Sequence, residues 1–148
     1  MGEHKAKIEW RRTGEVFTDR KFSRAHRWRF DGGANILASA SPLVVRPPLS
    51  DPAGVDPEEA FVASLSSCHM LAFLYLASKQ GFVVDEYRDE AVGVLAKDAA
   101  GRDAVTRVTL HPAIRFAGRE PSRAELEELH HAAHEGCYIS NSVTTEVR

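Results

Sequence analysis

The chain is poor in cysteine: Cys68 and Cys137 are the only two among 148 residues. Two thiols are too few for the disulfide framework of a small secreted protein. The opening MGEHKAKIEW has no apolar stretch, so no signal peptide is expected. Charge of neither sign is in excess, with 19 Lys and Arg against 21 Asp and Glu and a net charge of −2. That argues against a nucleic-acid partner held by bulk charge. Only the first third is locally basic, through Arg11, Arg12, Arg20, Lys21, Arg24, Arg27 and Arg29. Internal repeats and low-complexity segments are absent. The longest charge-free run, residues 60–78, approaches the length of a membrane span. It carries Ser64, Ser66, Ser67, His69 and Ser78, with acidic residues at its N-terminal edge. It is therefore read as a helix buried in a core or at a dimer interface, with no membrane partner. The expected compartment is the cytosol, where two thiols stay reduced unless they react.

What is present suits one folded domain over residues 1–148. Hydrophobic residues make 43% and charged residues 27%, ordinary values for a globular chain. Residues 5–13 alternate weakly, with Ile8 and Trp10 on one face. In residues 26–30, Trp28 and Phe30 share one face and Arg27 and Arg29 the other, as in a strand. Asp31-Gly32-Gly33 is a turn signal, and residues 34–40 read as the returning arm. An N-terminal antiparallel sheet of about three strands follows from this. Five of the seven prolines fall between Pro42 and Pro57, which predicts an extended connector.

Asp56-Pro57-Glu58-Glu59 opens a helix: Asp caps, Pro suits the first helical position, and acidic groups complement the helix dipole. Gly81 stops it. Such a helix spans about 36 Å. It is apolar on nearly every side, so it must be enclosed all round, which an intertwined homodimer achieves more easily than one chain. Residues 87–97 and 104–116 form a hairpin about the turn at 98–102. Ser122-Arg123-Ala124-Glu125 is a capping box that opens a second helix ended by Gly136. A final strand covers residues 143–147. The class is α+β.

Cys68 lies within the long helix, where a lone cysteine reads as a small core residue. Cys137 follows a helix stop, and two cysteines from distant elements of a cytosolic protein are more often redox-active or metal-binding than structural. Cys68 is too far along its helix for the dipole to make it a thiolate, so a cation must come from elsewhere. His69, about 100° around the helix, is expected to point away. His130, His134 and Cys137 have the spacing of three zinc ligands. A zinc- or thiol-dependent hydrolase built on them is one alternative. A non-catalytic dimer that binds an apolar ligand is another. On spacing alone, Glu58 and Glu59 simply favour the helix dipole.

The run DPEEAFVASLSSCHM, with Cys68 ten residues after Glu58, resembles the central-helix motif of the OsmC/Ohr family. HHAAHEGCYISNSV resembles that family's second cysteine motif, and FSRAHRWRFDGG, SASP and GFVVDEY resemble one bacterial branch of it. The resemblance covers nearly the whole chain. It implies an α+β intertwined homodimer, a cytoplasmic antioxidant and stress-response enzyme that reduces organic hydroperoxides without a cofactor or metal. By the same resemblance, Cys68 matches the peroxidatic cysteine, Cys137 the resolving cysteine and Glu58 the active-site glutamate. Arg24 is the best match to the active-site arginine, with Arg20 second. The loop holding them lacks the family's usual glycines, and Tyr138 follows Cys137 where the family often has proline.

The implied chemistry agrees with the residue types. A guanidinium near Cys68 stabilises the thiolate and the developing charge on the peroxide oxygen. A carboxylate orients that guanidinium. Attack leaves a sulfenic acid on Cys68, Cys137 condenses with it, and an external dithiol reduces the disulfide. Phe61, Leu65, Leu71 and Ala72 near Cys68 favour a fatty or aryl hydroperoxide over hydrogen peroxide.

Overall fold

Two helices and eight short strands alternate along the computed structural model, which describes residues 1–148. The chain forms two compact units, Met1–Ala60 and Phe61–Arg148, with the boundary inside the long helix.

In the first unit, β1 (Lys7–Glu9), β2 (His26–Arg29) and β3 (Asn35–Ala38) form an antiparallel sheet in that order. Trp28 faces Ile8 on one side and Ile36 on the other. Gly33 takes a left-handed φ of 98° and closes the turn between β2 and β3. The proline-rich segment is not the extended connector that its composition predicts. It folds back in successive turns against β3. Ser39 N–H bonds Val55 C=O at 3.0 Å, Val55 N–H bonds Leu37 C=O at 3.0 Å, and Ala38 bridges Val55 in parallel. The buried hydroxyls of Ser39 and Ser50 complete the turns, accepting from Asp51 N–H (2.9 Å) and donating to Val45 C=O (2.6 Å). Pro removes donors but leaves the intervening serines free to tie the segment down.

Helix α1 (Pro57–Lys79) begins at a capping box. Asp56 Oδ1 accepts Glu59 N–H at 2.8 Å, and Glu59 Oε1 accepts Asp56 N–H at 3.3 Å. At the other end Gly81 adopts a φ of 85°, and Phe82 N–H returns to Ala77 C=O at 3.0 Å. Leu65, His69, Phe73 and Ala77 are its buried residues, spaced by four and therefore on one face. The helix is not enclosed all round within one chain: Leu71 and Tyr75 are 61% and 65% exposed.

The second unit continues with β4 (Val83–Asp89), β5 (Val92–Lys97), β6 (Asp103–Thr109) and β7 (Pro112–Ala117). The single hairpin expected from sequence is instead a ribbon broken once in each arm. β5 pairs with β6 near the turn, and β4 pairs with β7 beyond the break. At the break Asp89 Oδ1 accepts His111 N–H at 2.6 Å in place of a strand partner. Helix α2 (Arg123–Gly136) starts at the expected capping box, with Ser122 Oγ accepting Glu125 N–H at 3.2 Å and Glu125 Oε1 accepting Ser122 N–H at 3.1 Å. A single 3₁₀ turn (Ser140–Ser142) leads to β8 (Glu146–Val147), shorter than expected and parallel to β6.

The core is Phe73, Ala77, Phe82, Leu129 and Ala133, with Val84, Tyr87, Ile114 and Phe116 packed around it. Burying one such Phe or Leu side chain contributes roughly 1.5–3 kcal/mol. This core fixes α1 against α2 and the β4–β7 pair, and so sets which side chains of the two helices meet.

Candidate active site

The half-buried Cys68 belongs to α1, and Cys137, only 1% exposed, sits just past the end of α2. Cys137 leaves helical geometry at φ −78°, ψ 107°, while its N–H still bonds His134 C=O at 3.3 Å. That exit turns its side chain onto α1. The two free thiols are neighbours, close enough for Cys68 to act directly on the Cys137 thiol. Burial pushes the Cys137 thiol up from its ordinary pKa, and so does the neighbouring Cys68, while N–H groups of Ser140 and Ile139 act against this rise. Ser140 N–H donates to Cys137 Sγ at 3.4 Å.

His69, next to Cys68 in sequence, faces α2. It is 6% exposed, and its Nε2 shares a hydrogen bond with His130 Nδ1 at 3.0 Å. The His130 ring also stacks on Phe73 with centroids 4.5 Å apart. Burial, then the neighbouring His130 and His134, lower the His69 pKa to about 4, and burial lowers that of His130. His69 Nδ1 and the Tyr87 hydroxyl are both buried without a partner. Burial and the nearby Asp89 carboxylate push the Tyr87 hydroxyl up to about 12. Ser66 Oγ donates to Asp89 Oδ2, tying α1 to β4 beside this cluster. None of Ser66, Tyr87, Asp89 or Ser140 was legible as a site residue. His69 carried a signal, because it stands four residues from both Leu65 and Phe73 on the apolar face.

The zinc arrangement does not form. His130 is engaged with His69, His134 Nδ1 lies 3.3 Å from Ser140 Oγ, and no group of three His, Cys, Asp or Glu is placed to hold a metal ion.

Glu58 and Arg24 belong to the first unit. Glu58 Oε2 is buried and has no hydrogen-bond partner. Beside it, burial raises the Asp56 carboxyl, but hydrogen bonds from Glu59 and Glu58 outweigh this and hold its pKa low. Glu59 moves up, first through its bond to Asp56 and then through burial. The Arg24 guanidinium donates to the carbonyls of Arg20 (3.0 Å) and Phe22 and lies 3.7 Å above the Phe22 ring. Arg20 has a left-handed φ of 65° at the head of this loop. No ion pair joins Glu58 to Arg24.

The model of the family described as OsmC-like protein matches residues 50–148, which include both cysteines and Glu58. The chain belongs to the OsmC-like family. Among solved structures it is similar to an OsmC-like protein of unknown function from Vibrio cholerae, at 57% identity and a TM-score of 0.97 over 99% of this chain and 97% of that one. It shares its fold with an organic hydroperoxide resistance protein OsmC from Legionella pneumophila (20% identity, TM-score 0.72, 100% and 95% of the two chains). The same holds for the organic hydroperoxide resistance protein OhrB of Bacillus subtilis (21% identity, TM-score 0.67, 99% and 96%). No curated protein matches the chain. Helix α1, long and apolar enough to cross a membrane by length and composition, is the core helix of this OsmC-like fold.

Proposed function

We propose that the protein is a thiol-dependent peroxidase that reduces organic hydroperoxides to alcohols, with Cys68 peroxidatic and Cys137 resolving. The observation that carries this reading is the closeness of the two free thiols, one inside α1 and the other just past the end of α2. The Cys68 thiolate attacks the terminal peroxide oxygen. The O–O bond breaks, the alkoxide takes a proton and leaves as alcohol, and Cys68 becomes a sulfenic acid. Cys137 then attacks the Cys68 sulfur, the S–O bond breaks, and water leaves. Two electrons from an external dithiol reduce the disulfide.

Arg24 supplies the guanidinium that stabilises the thiolate and the developing oxyanion. Glu58 keeps one buried carboxylate oxygen unpartnered, an acceptor that can orient the guanidinium once Arg24 leaves the Arg20 and Phe22 carbonyls. Residues 1–148 act as one OsmC-like domain in a cytoplasmic homodimer. The exposed Leu71 and Tyr75 on α1 support that assembly. Leu71, one turn from Cys68, also supports an apolar substrate. Turnover of cumene hydroperoxide against hydrogen peroxide, driven by a dithiol and then by glutathione, tests the reading. Faster turnover of cumene hydroperoxide with the dithiol is expected. No turnover of either peroxide refutes it.

A further inference from the structure

Once Cys68 is oxidised, Cys137 must become nucleophilic in a place that water does not reach. Its side chain is buried, and burial and the Cys68 neighbour both disfavour its anion. Disulfide closure needs that anion: a new S–S bond forms, the S–O bond of Cys68 breaks, and the departing hydroxyl leaves as water with the proton that Cys137 gave up. Something in the fold must favour the thiolate and aim it.

The 3₁₀ turn after α2 has the parts for this. Ser140 N–H points at Cys137 Sγ at 3.4 Å, in the position where a capping oxygen would accept. The same residue's hydroxyl lies 3.3 Å from His134 Nδ1, one helical turn before Cys137. Ser140 therefore grips the sulfur with its main chain and α2 with its side chain. The Ile139 N–H also acts on the sulfur, but the apolar Ile139 side chain offers no latch to α2. Elsewhere in the turn Asn141 N–H bonds Cys137 C=O at 3.0 Å, and Ser142 Oγ donates to Tyr138 C=O at 2.6 Å. A thiolate accepts a hydrogen bond far better than a thiol, so the Ser140 N–H favours the reactive form.

We propose that Ser140, latched to His134, is a positioning residue for the resolving step, holding its N–H on the Cys137 sulfur during attack on oxidised Cys68. This rests on the peroxidase reading above. Its role is confined to closure of the disulfide and leaves the chemistry at Cys68 to other groups.

The test follows one turnover. Reduced protein is mixed with one equivalent of cumene hydroperoxide and quenched at intervals, and sulfenic acid and disulfide are quantified by mass spectrometry. Ser140→Ala keeps the N–H but frees it from His134, and should slow closure by up to about tenfold, the low end of what the hydrogen bond to the anion is worth if its aim is lost. With excess peroxide it should accumulate sulfinic acid on Cys68. Ser140→Thr should restore closure, and Ser142→Ala in the same turn should close like the wild type. In a Cys68→Ala background, Ser140→Ala should also shift the Cys137 thiolate titration, read at 240 nm, to higher pH. Should Ser140→Ala fail to fold, His134→Ala removes the other half of the latch and should give the same slowing. Closure at the wild-type rate in Ser140→Ala, or an unmoved titration, overturns the proposal. If the wild type forms no Cys68–Cys137 disulfide at all, the peroxidase reading fails, while the titration in the Cys68→Ala background still decides whether Ser140 favours the Cys137 thiolate.

Discussion

His69 of α1 and His130 of α2 meet nitrogen to nitrogen at 3.0 Å, with rings 6° from parallel. One hydrogen bond between the buried His69 imidazole and the half-buried His130 imidazole leaves room for one shared proton, and burial disfavours a second. His134 adds to that penalty, and Asp89 partly offsets it. The pair joins the two helices that carry the two cysteines.

The native pair therefore resists protonation. His69 is depressed from 6.5 to about 4, and His130 moves in the same direction. The unfolded chain binds more protons than the native one in that window, so stability is present above about pH 6.5 and is lost as pH falls toward 4. Melting temperature against pH should drop through this range. A His69→Leu/His130→Leu protein should show a flatter profile, and an equally steep one would contradict the assignment.

Gly93 of β5 is a close-approach site. A Cβ there would overlap the Val62 side chain of α1. Gly93→Val should cost at least about 1–3 kcal/mol, the usual cost of overpacking. Urea denaturation checks this, and an unchanged midpoint would show that β5 and α1 have room to move apart.

Arg24→Ala should slow reduction of organic hydroperoxide by about 10²–10³-fold, the usual loss for one donor aimed at a developing oxyanion. Glu58→Gln should cost less, because it only misplaces the guanidinium. Steady-state kinetics separates these effects. An unchanged rate in Arg24→Ala would move the role to Arg20.

On the proposed reading, the exposed apolar residues of α1 form a homodimer interface. Sedimentation at micromolar concentration should give a dimer, and such an interface should bury more than about 2,000 Å² in total. Leu71→Arg should weaken it. A folded wild-type monomer would contradict the assembly.

Much of this was legible where local chemistry alone decides structure. Asp56-Pro57-Glu58-Glu59 and Gly81 bound α1 to within a residue or so, and Ser122 with Glu125 marked the start of α2, because caps act over one turn. The break of the hairpin at Asp89 was hidden, since it depends on a carboxylate meeting His111, 22 positions away. The proline-rich turns were hidden for a related reason: the buried serines that close them bond across as many as twelve positions. At the site, two cysteines from distant elements could be expected to meet, and they are neighbours in the structure; their separate roles rest on the motif resemblance. Spacing also suggested that His130 and His134 could act together on a metal. Instead each side chain found a partner outside that set, His69 and Ser140, which i, i+4 geometry cannot reveal.

The central claim is that Cys68 and Cys137 form one redox couple. Treating the reduced protein with stoichiometric cumene hydroperoxide, digesting it without reductant and mapping the peptides by mass spectrometry tests this directly. The account predicts a single intrachain Cys68–Cys137 disulfide in the wild type and, in Cys137→Ser with excess peroxide, sulfinic and sulfonic acid at Cys68. Recovery of both cysteines as free thiols, or only as intermolecular disulfides, would contradict it.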